Sequence, residues 1–276
     1  MAAGEFDLTH QVFESGAHRV RCSRFPGGLI DRTRCVIAVP GYLETAEAFA
    51  RLRPLAARFD LRLMTFSAQD RDPGFDLIGC YARRVVEFAN RLESPVLLGT
   101  SFGGLVALRA AGSLHHALRG LILISSFARL AYNRPVNLAR RLHLVAPLEL
   151  GARLIEPLAV RFVSGRIDEA ARHELHRQAS TISFAEKHAR LMATLGADMR
   201  SAAAAVRAPV LVVHGTHDRV VPIRLARDLA SLFINARFVD IEGAAHVPYL
   251  THPGAVIGAV EPFLSEVFAN APATAA

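Results

Sequence analysis

Short apolar runs rich in β-branched residues recur along the chain, and most are followed by a stretch with helical spacing. Runs at 34–39, 61–66, 95–99, 118–124, 209–214 and 237–241 read as buried strands, closed by glycine, proline or polar turns. Helical periodicity fills 45–57, 77–92, 102–111, 223–232 and 253–268. In the second of these, Tyr81, Val85, Phe88 and Leu92 lie on one face. Strand and helix alternate, and that order predicts a mostly parallel, doubly wound α/β sheet with helices on both sides.

The alternation lapses between Ser125 and Val206, where Arg, His and Ala dominate and Pro135, Pro147 and Pro157 interrupt. Helical spacing persists there without a convincing strand. The expected organisation is one core domain, 1–127 with 207–276, carrying a helical cap insertion at 128–206. A chain of 276 residues with 51% hydrophobic and 21% charged residues can bury a core of that size. No run approaches ~20 uninterrupted apolar residues, and the first ten lack a basic start followed by an apolar stretch. Neither a membrane span nor an export signal is therefore expected. The three cysteines, Cys22, Cys35 and Cys80, are odd in number and scattered, which suits free thiols and a cytoplasmic location.

Chemistry concentrates at the ends of the strands. Gly99-Thr100-Ser101-Phe102-Gly103, followed by Gly104, joins the strand at 95–99 to the next helix. A serine held on such a sharp turn projects its hydroxyl clear of the sheet, and the flanking glycines remove Cβ atoms that would collide as strand and helix close. A plain glycine-rich turn or phosphate loop is the bland alternative, and the strand before and helix after argue against it. Serine needs a base with a pKa near the working pH, which points to histidine. Of twelve histidines, His246 stands in a loop directly after the strand at 237–241, at the sheet end where Ser101 lies. Asp218 closes His214-Gly-Thr-His-Asp218 after the strand at 209–214, and is the better orienting acid than Asp240, which falls inside a strand. The chain order serine, acid, histidine excludes the chymotrypsin-like and subtilisin-like arrangements.

His214, His217 and Asp218 also suggest a zinc site, since imidazole and carboxylate are ordinary ligands, but a further well-placed ligand is missing from the sequence pattern. The expectation is a site with no metal and no cofactor. Charge developing on a substrate carbonyl oxygen needs backbone donors, for which Phe102 and, in the loop after the 34–39 strand, Tyr42 are the candidates. Pro40 has no N–H to give.

With Gly99-Thr-Ser-Phe-Gly103, His214-Gly-Thr-His-Asp218 and Gly243-Ala-Ala-His-Val-Pro-Tyr-Leu-Thr-His-Pro253 together, the chain resembles the α/β-hydrolase superfamily over nearly its full length. Its closing segment looks most like the carboxylesterase branch that includes the pimeloyl-[acyl-carrier protein] methyl ester esterases. The resemblance implies an α/β-hydrolase fold with Ser101 as nucleophile, His246 as base and Asp218 as its orienter. One departure bears on the oxyanion loop: family members often carry His-Gly after the third strand, whereas this chain has Pro40-Gly41-Tyr42-Leu43-Glu44-Thr45.

The expected activity is hydrolysis of a carboxylic ester or thioester of a small to medium acyl substrate through an acyl-enzyme. Lactone hydrolysis, carbon–carbon bond hydrolysis and acyl transfer would use the same three residues, and a non-catalytic receptor on the same fold is the alternative from another class. The formal charge of +7 resembles a nucleic-acid signal, yet only one of the 32 basic residues is lysine, which points to compositional drift toward arginine. Most of the excess is local, with 13 basic against 7 acidic side chains over 128–207. Neither nucleic acid nor a membrane is the expected partner. A cap presenting Arg140, Arg141, Arg153 and Arg161 suits an anionic partner such as an acidic acyl carrier protein, with a solvated arginine-rich face as the plain alternative.

Overall fold

A computed structural model describes residues 8–15, 18–67, 70–72, 74–114, 117–130 and 169–270. Among the described residues, eight strands form one sheet: β1 Thr9–Ser15, β2 His18–Arg24, β3 Cys35–Val39, β4 Asp60–Thr65, β5 Val96–Thr100, β6 Gly120–Ile124, β7 Val210–Gly215 and β8 Ala236–Ile241. Their order across the sheet is β1-β2-β4-β3-β5-β6-β7-β8. The β1–β2 and β2–β4 pairs are antiparallel. All later neighbours run parallel. The chain crosses over at β3, so the loops after β3 and β5 open side by side at the carboxyl ends of adjacent strands, where ligands of such sheets bind.

Strands β3, β5, β6 and β7 are buried along their whole length, which explains why each reads as a continuous apolar run. Apolar residues on the two sheet faces enter two separate cores. Helix α1, Leu77–Ala89, and α2, Phe102–Leu114, pack on one face. A 3₁₀ helix at Ala46–Ala57 and the last helix described, Pro253–Ala269, pack on the other. Tyr81, Val85 and Phe88 are buried on α1 as their spacing predicts.

Two differences from the sequence reading stand out. The segment at 45–57 is helical but tightened into 3₁₀ geometry, with Pro54 inside it and lacking an N–H to donate. The β1–β2 hairpin was not anticipated at all. It adds an antiparallel edge to the sheet, where Val20 and Cys22 are buried and Val12 is exposed.

Three helices follow the undescribed stretch at 131–168: α3 Glu169–Thr181, α4 Phe184–Gly196 and α5 Arg200–Ala205. An isolated bridge joins Arg129 to Asp198 before the chain re-enters the sheet. Residues Arg140, Arg141, Arg153 and Arg161 lie outside the described residues. The remaining helices are α6 Ile223–Ala230, α7 Pro248–Thr251 and α8 Pro253–Ala269. Among the described residues, no helix is long and apolar enough to cross a membrane.

Candidate active site

Ser101 sits between β5 and α2 with φ of +48°, a left-handed conformation that costs a non-glycine residue of order 1–3 kcal/mol. Its N–H donates to the Ile124 carbonyl at 2.9 Å, and its carbonyl accepts from the Ser126 hydroxyl at 3.0 Å. These bonds to β6 and the residues after it hold the turn. Gly103 explains the close approach of α2 to the neighbouring strand, because a Cβ there would lie 2.2 Å from the Val39 carbonyl oxygen.

His246 lies in the loop between β8 and α7, and Asp218 in the loop after β7. The two loops are stitched together: the His217 N–H donates to the Ala244 carbonyl at 2.9 Å, and the Gly243 N–H to the Thr216 hydroxyl at 3.0 Å. Gly215 permits this contact, since a Cβ on it would meet the Ala244 and Ala245 carbonyls at 2.3 and 2.4 Å.

The three side chains form one chain of hydrogen bonds. His246 Nε2 is 2.9 Å from Ser101 Oγ, and His246 Nδ1 is 2.8 Å from Asp218 Oδ2. The carboxylate accepts, so Nδ1 carries the proton and Nε2 is left free to accept from the serine hydroxyl. Asp218 Oδ1 accepts the Val220 and Val221 amides at 2.9 Å each. His214, fully buried, places Nε2 at 2.8 Å from the Val221 carbonyl and 3.2 Å from Asp218 Oδ2. Burial alone would push the Asp218 carboxyl up. Attraction to the His246 ring in its protonated form and hydrogen bonds from His214, His246 and the Val221 amide outweigh it and hold the group well below the usual carboxylate range. Asp218 therefore stays ionised at neutral pH.

The rival acid does not reach this site. Asp240 is exposed on β8 and pairs with Arg227 at 3.2 Å. His217, weighed as a metal ligand beside His214 and Asp218, is exposed, and among the described residues no group of three His, Cys, Asp or Glu side chains is arranged to hold a metal ion.

Phe102 opens α2, and Tyr42 lies in the loop directly after β3. That loop is held by residues the sequence did not single out. Arg190 of α4, itself buried, donates to the carbonyls of Gly41, Tyr42 and Glu44 at 3.4, 3.2 and 3.3 Å. Its guanidinium is balanced by Glu186 at 2.9 Å, which also accepts from the Tyr81 hydroxyl. From α3, Gln178 accepts the Thr45 N–H at 3.2 Å. An arginine and a glutamate four apart on a helix read in sequence as a solvent-exposed pair, so nothing flagged them as buried.

This arrangement can take a proton from a serine hydroxyl and return it to a leaving group. The chain belongs to the alpha/beta hydrolase family, which it matches over residues 36–259. It is 25% identical over 241 residues to a pimeloyl-[acyl-carrier protein] methyl ester esterase of Serratia marcescens, covering 84% of this chain and 94% of that protein. It is also 30% identical over 250 residues, or 86% of this chain, to 12% of the polyketide synthase ThaQ of Burkholderia thailandensis. Among solved structures, a thermophilic esterase of Thermogutta terrifontis superimposes with a TM-score of 0.73 at 21% identity, covering 95% of this chain and 99% of that one. This last likeness concerns the fold.

Proposed function

We propose that the chain hydrolyses carboxylic esters through an acyl-enzyme formed on Ser101. His246 takes the Ser101 proton as Oγ attacks the ester carbonyl, then gives it to the departing alkoxide. A water, deprotonated by the same imidazole, releases the acid. Asp218 holds His246 in the required tautomer and stabilises the imidazolium that forms. The single observation that carries this reading is the unbroken path from Ser101 Oγ to His246 Nε2 at 2.9 Å and from His246 Nδ1 to Asp218 Oδ2 at 2.8 Å.

The amides of Tyr42 and Phe102 are the proposed oxyanion donors. Phe102 supports the role by standing at the positive end of α2, and Tyr42 by belonging to a loop that Arg190 restrains. Residues 128–206 are the proposed cap over this opening, and the helices α3 and α4 that touch the Gly41 to Thr45 loop support that placement. The similarity to an esterase of an acyl-carrier-protein ester makes a carrier-bound acyl ester the partner to test first. Three buried free thiols suit a reducing, cytoplasmic setting.

The experiment is a substrate panel of esters graded in acyl length, with matched thioesters, lactones and carbon–carbon bond substrates, run on fluorophosphonate-titrated enzyme. Preferred turnover of esters supports the reading. Turnover confined to another class would replace the ester with that class, and absence of both labelling and turnover would favour a non-catalytic role.

A further inference from the structure

Glu44 is a buried carboxylate that joins three segments of the proposed site: the loop after β3, the end of β5 and the helix α7. Its Oε2 accepts the Gly41 N–H at 2.6 Å and the Thr100 hydroxyl at 2.8 Å, and its Oε1 accepts the Tyr249 hydroxyl. Gly41 precedes the proposed oxyanion donor Tyr42, Thr100 precedes Ser101, and Tyr249 lies three residues after His246. Each tie runs from a different segment beside a proposed site residue to one side chain. Burial, followed by the charge of Glu44 and the hydrogen bond to it, pushes the Tyr249 phenol up, so it stays a neutral donor.

Taking a carboxylate out of water is costly, and filling this space with an apolar side chain would avoid that cost. All three donors described here are neutral, so Glu44 is not half of an ion pair made with them. A side chain that only filled space would have no need to accept from all three segments. Opposite it, Arg190 grips the carbonyls of the same Gly41 to Glu44 segment, so the segment is held by its N–H side and by its C=O side. Gly41 gives its N–H to Glu44, and a Cβ at Gly41 would stand 2.8 Å from that carboxylate oxygen.

We propose that Glu44 is a positioning residue that fixes the spacing between the oxyanion loop, Ser101 and the His246 loop. The proposal rests on the serine hydrolase reading above. A displacement of about 1 Å between such groups costs on the order of 100-fold in rate, while ground-state binding of the substrate need not change. Glu44→Ala removes all three ties. Glu44→Gln keeps them, because its carbonyl oxygen accepts from Gly41 and Thr100 while its amide donates to the Tyr249 oxygen, a hydroxyl able to act either way.

The test measures kcat and KM per active site, counted by fluorophosphonate labelling taken to completion, on an ester the wild-type protein turns over. For Glu44→Ala the expected kcat falls about 100-fold with KM within about threefold, and Glu44→Gln recovers kcat to within about tenfold of wild type. An unchanged kcat per site in Glu44→Ala, with only a lower Tm, overturns the proposal. So does a Glu44→Gln variant as slow as Glu44→Ala, since charge rather than the three ties would then carry the effect. Should Glu44→Ala fail to fold, Thr100→Val and Tyr249→Phe each remove one tie. Each is expected to lose about tenfold in kcat at constant KM, and wild-type kcat in both overturns the proposal. Ser101→Ala separates the two levels of the account: turnover surviving in that variant sinks the hydrolase reading, whereas a dead Ser101→Ala beside a fully active Glu44→Ala sinks only the role of Glu44.

Discussion

Asp218 and His246 meet through a 2.8 Å hydrogen bond between Oδ2 and Nδ1, while the other carboxylate oxygen of Asp218 is occupied by two backbone amides of its own loop. The acid is thereby fixed in the loop that follows the strand carrying His214, and the hydrogen bond to it favours the tautomer of the imidazole with a free Nε2. Orientation of the imidazole depends on a carboxylate that is held from both oxygens.

Asp218→Asn should fold, yet lose about 10⁴-fold in kcat, because the amide no longer enforces that tautomer. Steady-state kinetics beside a circular dichroism spectrum checks both halves. The matched Asp240→Asn variant should keep wild-type kcat, and a reversal of the two results would move the orienting role to Asp240.

The depressed pKa of Asp218 also predicts how stability depends on acid. A group whose folded pKa lies below its unfolded value contributes stability that is fully present above the unfolded pKa, near 4, and is lost as pH falls through the folded one. The stability gap between wild type and Asp218→Asn should therefore be constant from pH 5 to 7, about where both states are ionised, and shrink below about pH 4. Denaturant unfolding at graded pH reads this directly, and a gap that widened on acidification would contradict it.

Two glycines of α2 should respond oppositely to alanine. At Gly103 the added Cβ meets the Val39 and Pro40 carbonyl oxygens at 2.2 and 2.5 Å, and since these are backbone atoms the strand or helix must shift. Gly103→Ala should cost about 1–3 kcal/mol or more and slow turnover, as α2 carries the Phe102 amide. At Gly112 nothing lies within 4 Å, so Gly112→Ala should add about 0.5–1 kcal/mol and leave kcat unchanged. Chemical denaturation of the pair measures the contrast.

A carrier-protein partner would leave a salt signature. The Debye length shrinks from ~10 Å at 0.1 M to ~3 Å at 1 M salt. If the arginine-rich stretch at 128–207 recruits an acidic carrier, kcat/KM for a carrier-bound acyl ester should fall steeply with ionic strength, while that for a small neutral ester of the same acyl group stays level. Charge reversal at Arg140 and Arg141 should damage the carrier-bound substrate selectively. Equal salt slopes would leave solubility as the explanation of the charge.

Buried parallel strands were legible in sequence because both of their faces are apolar, and β3, β5, β6 and β7 lie within a residue or two of where their runs place them. Ser101 and Asp218 could be singled out because each follows such a strand, and His246 because it follows β8, which reads as a buried run in sequence although only its last residue, Ile241, is buried. The β1–β2 hairpin was not, since an edge ribbon with charged residues on one side shows only a weak alternation around Val20 and Cys22. Glu44, Gln178, Glu186 and Arg190 were illegible for a different reason. Polar side chains are ordinarily exposed, and their burial here depends on partners more than a hundred residues away, such as Arg190 on Tyr42 and Glu44 on Tyr249.

The central claim, a covalent acyl intermediate on Ser101, is tested most directly by intact-protein and peptide mass spectrometry of enzyme quenched during turnover of a slowly deacylating aryl ester. The account predicts an adduct of one acyl mass on the peptide containing Ser101, absent from Ser101→Ala, whose turnover falls to background. An adduct on another residue, or unimpaired turnover by folded Ser101→Ala, would contradict it.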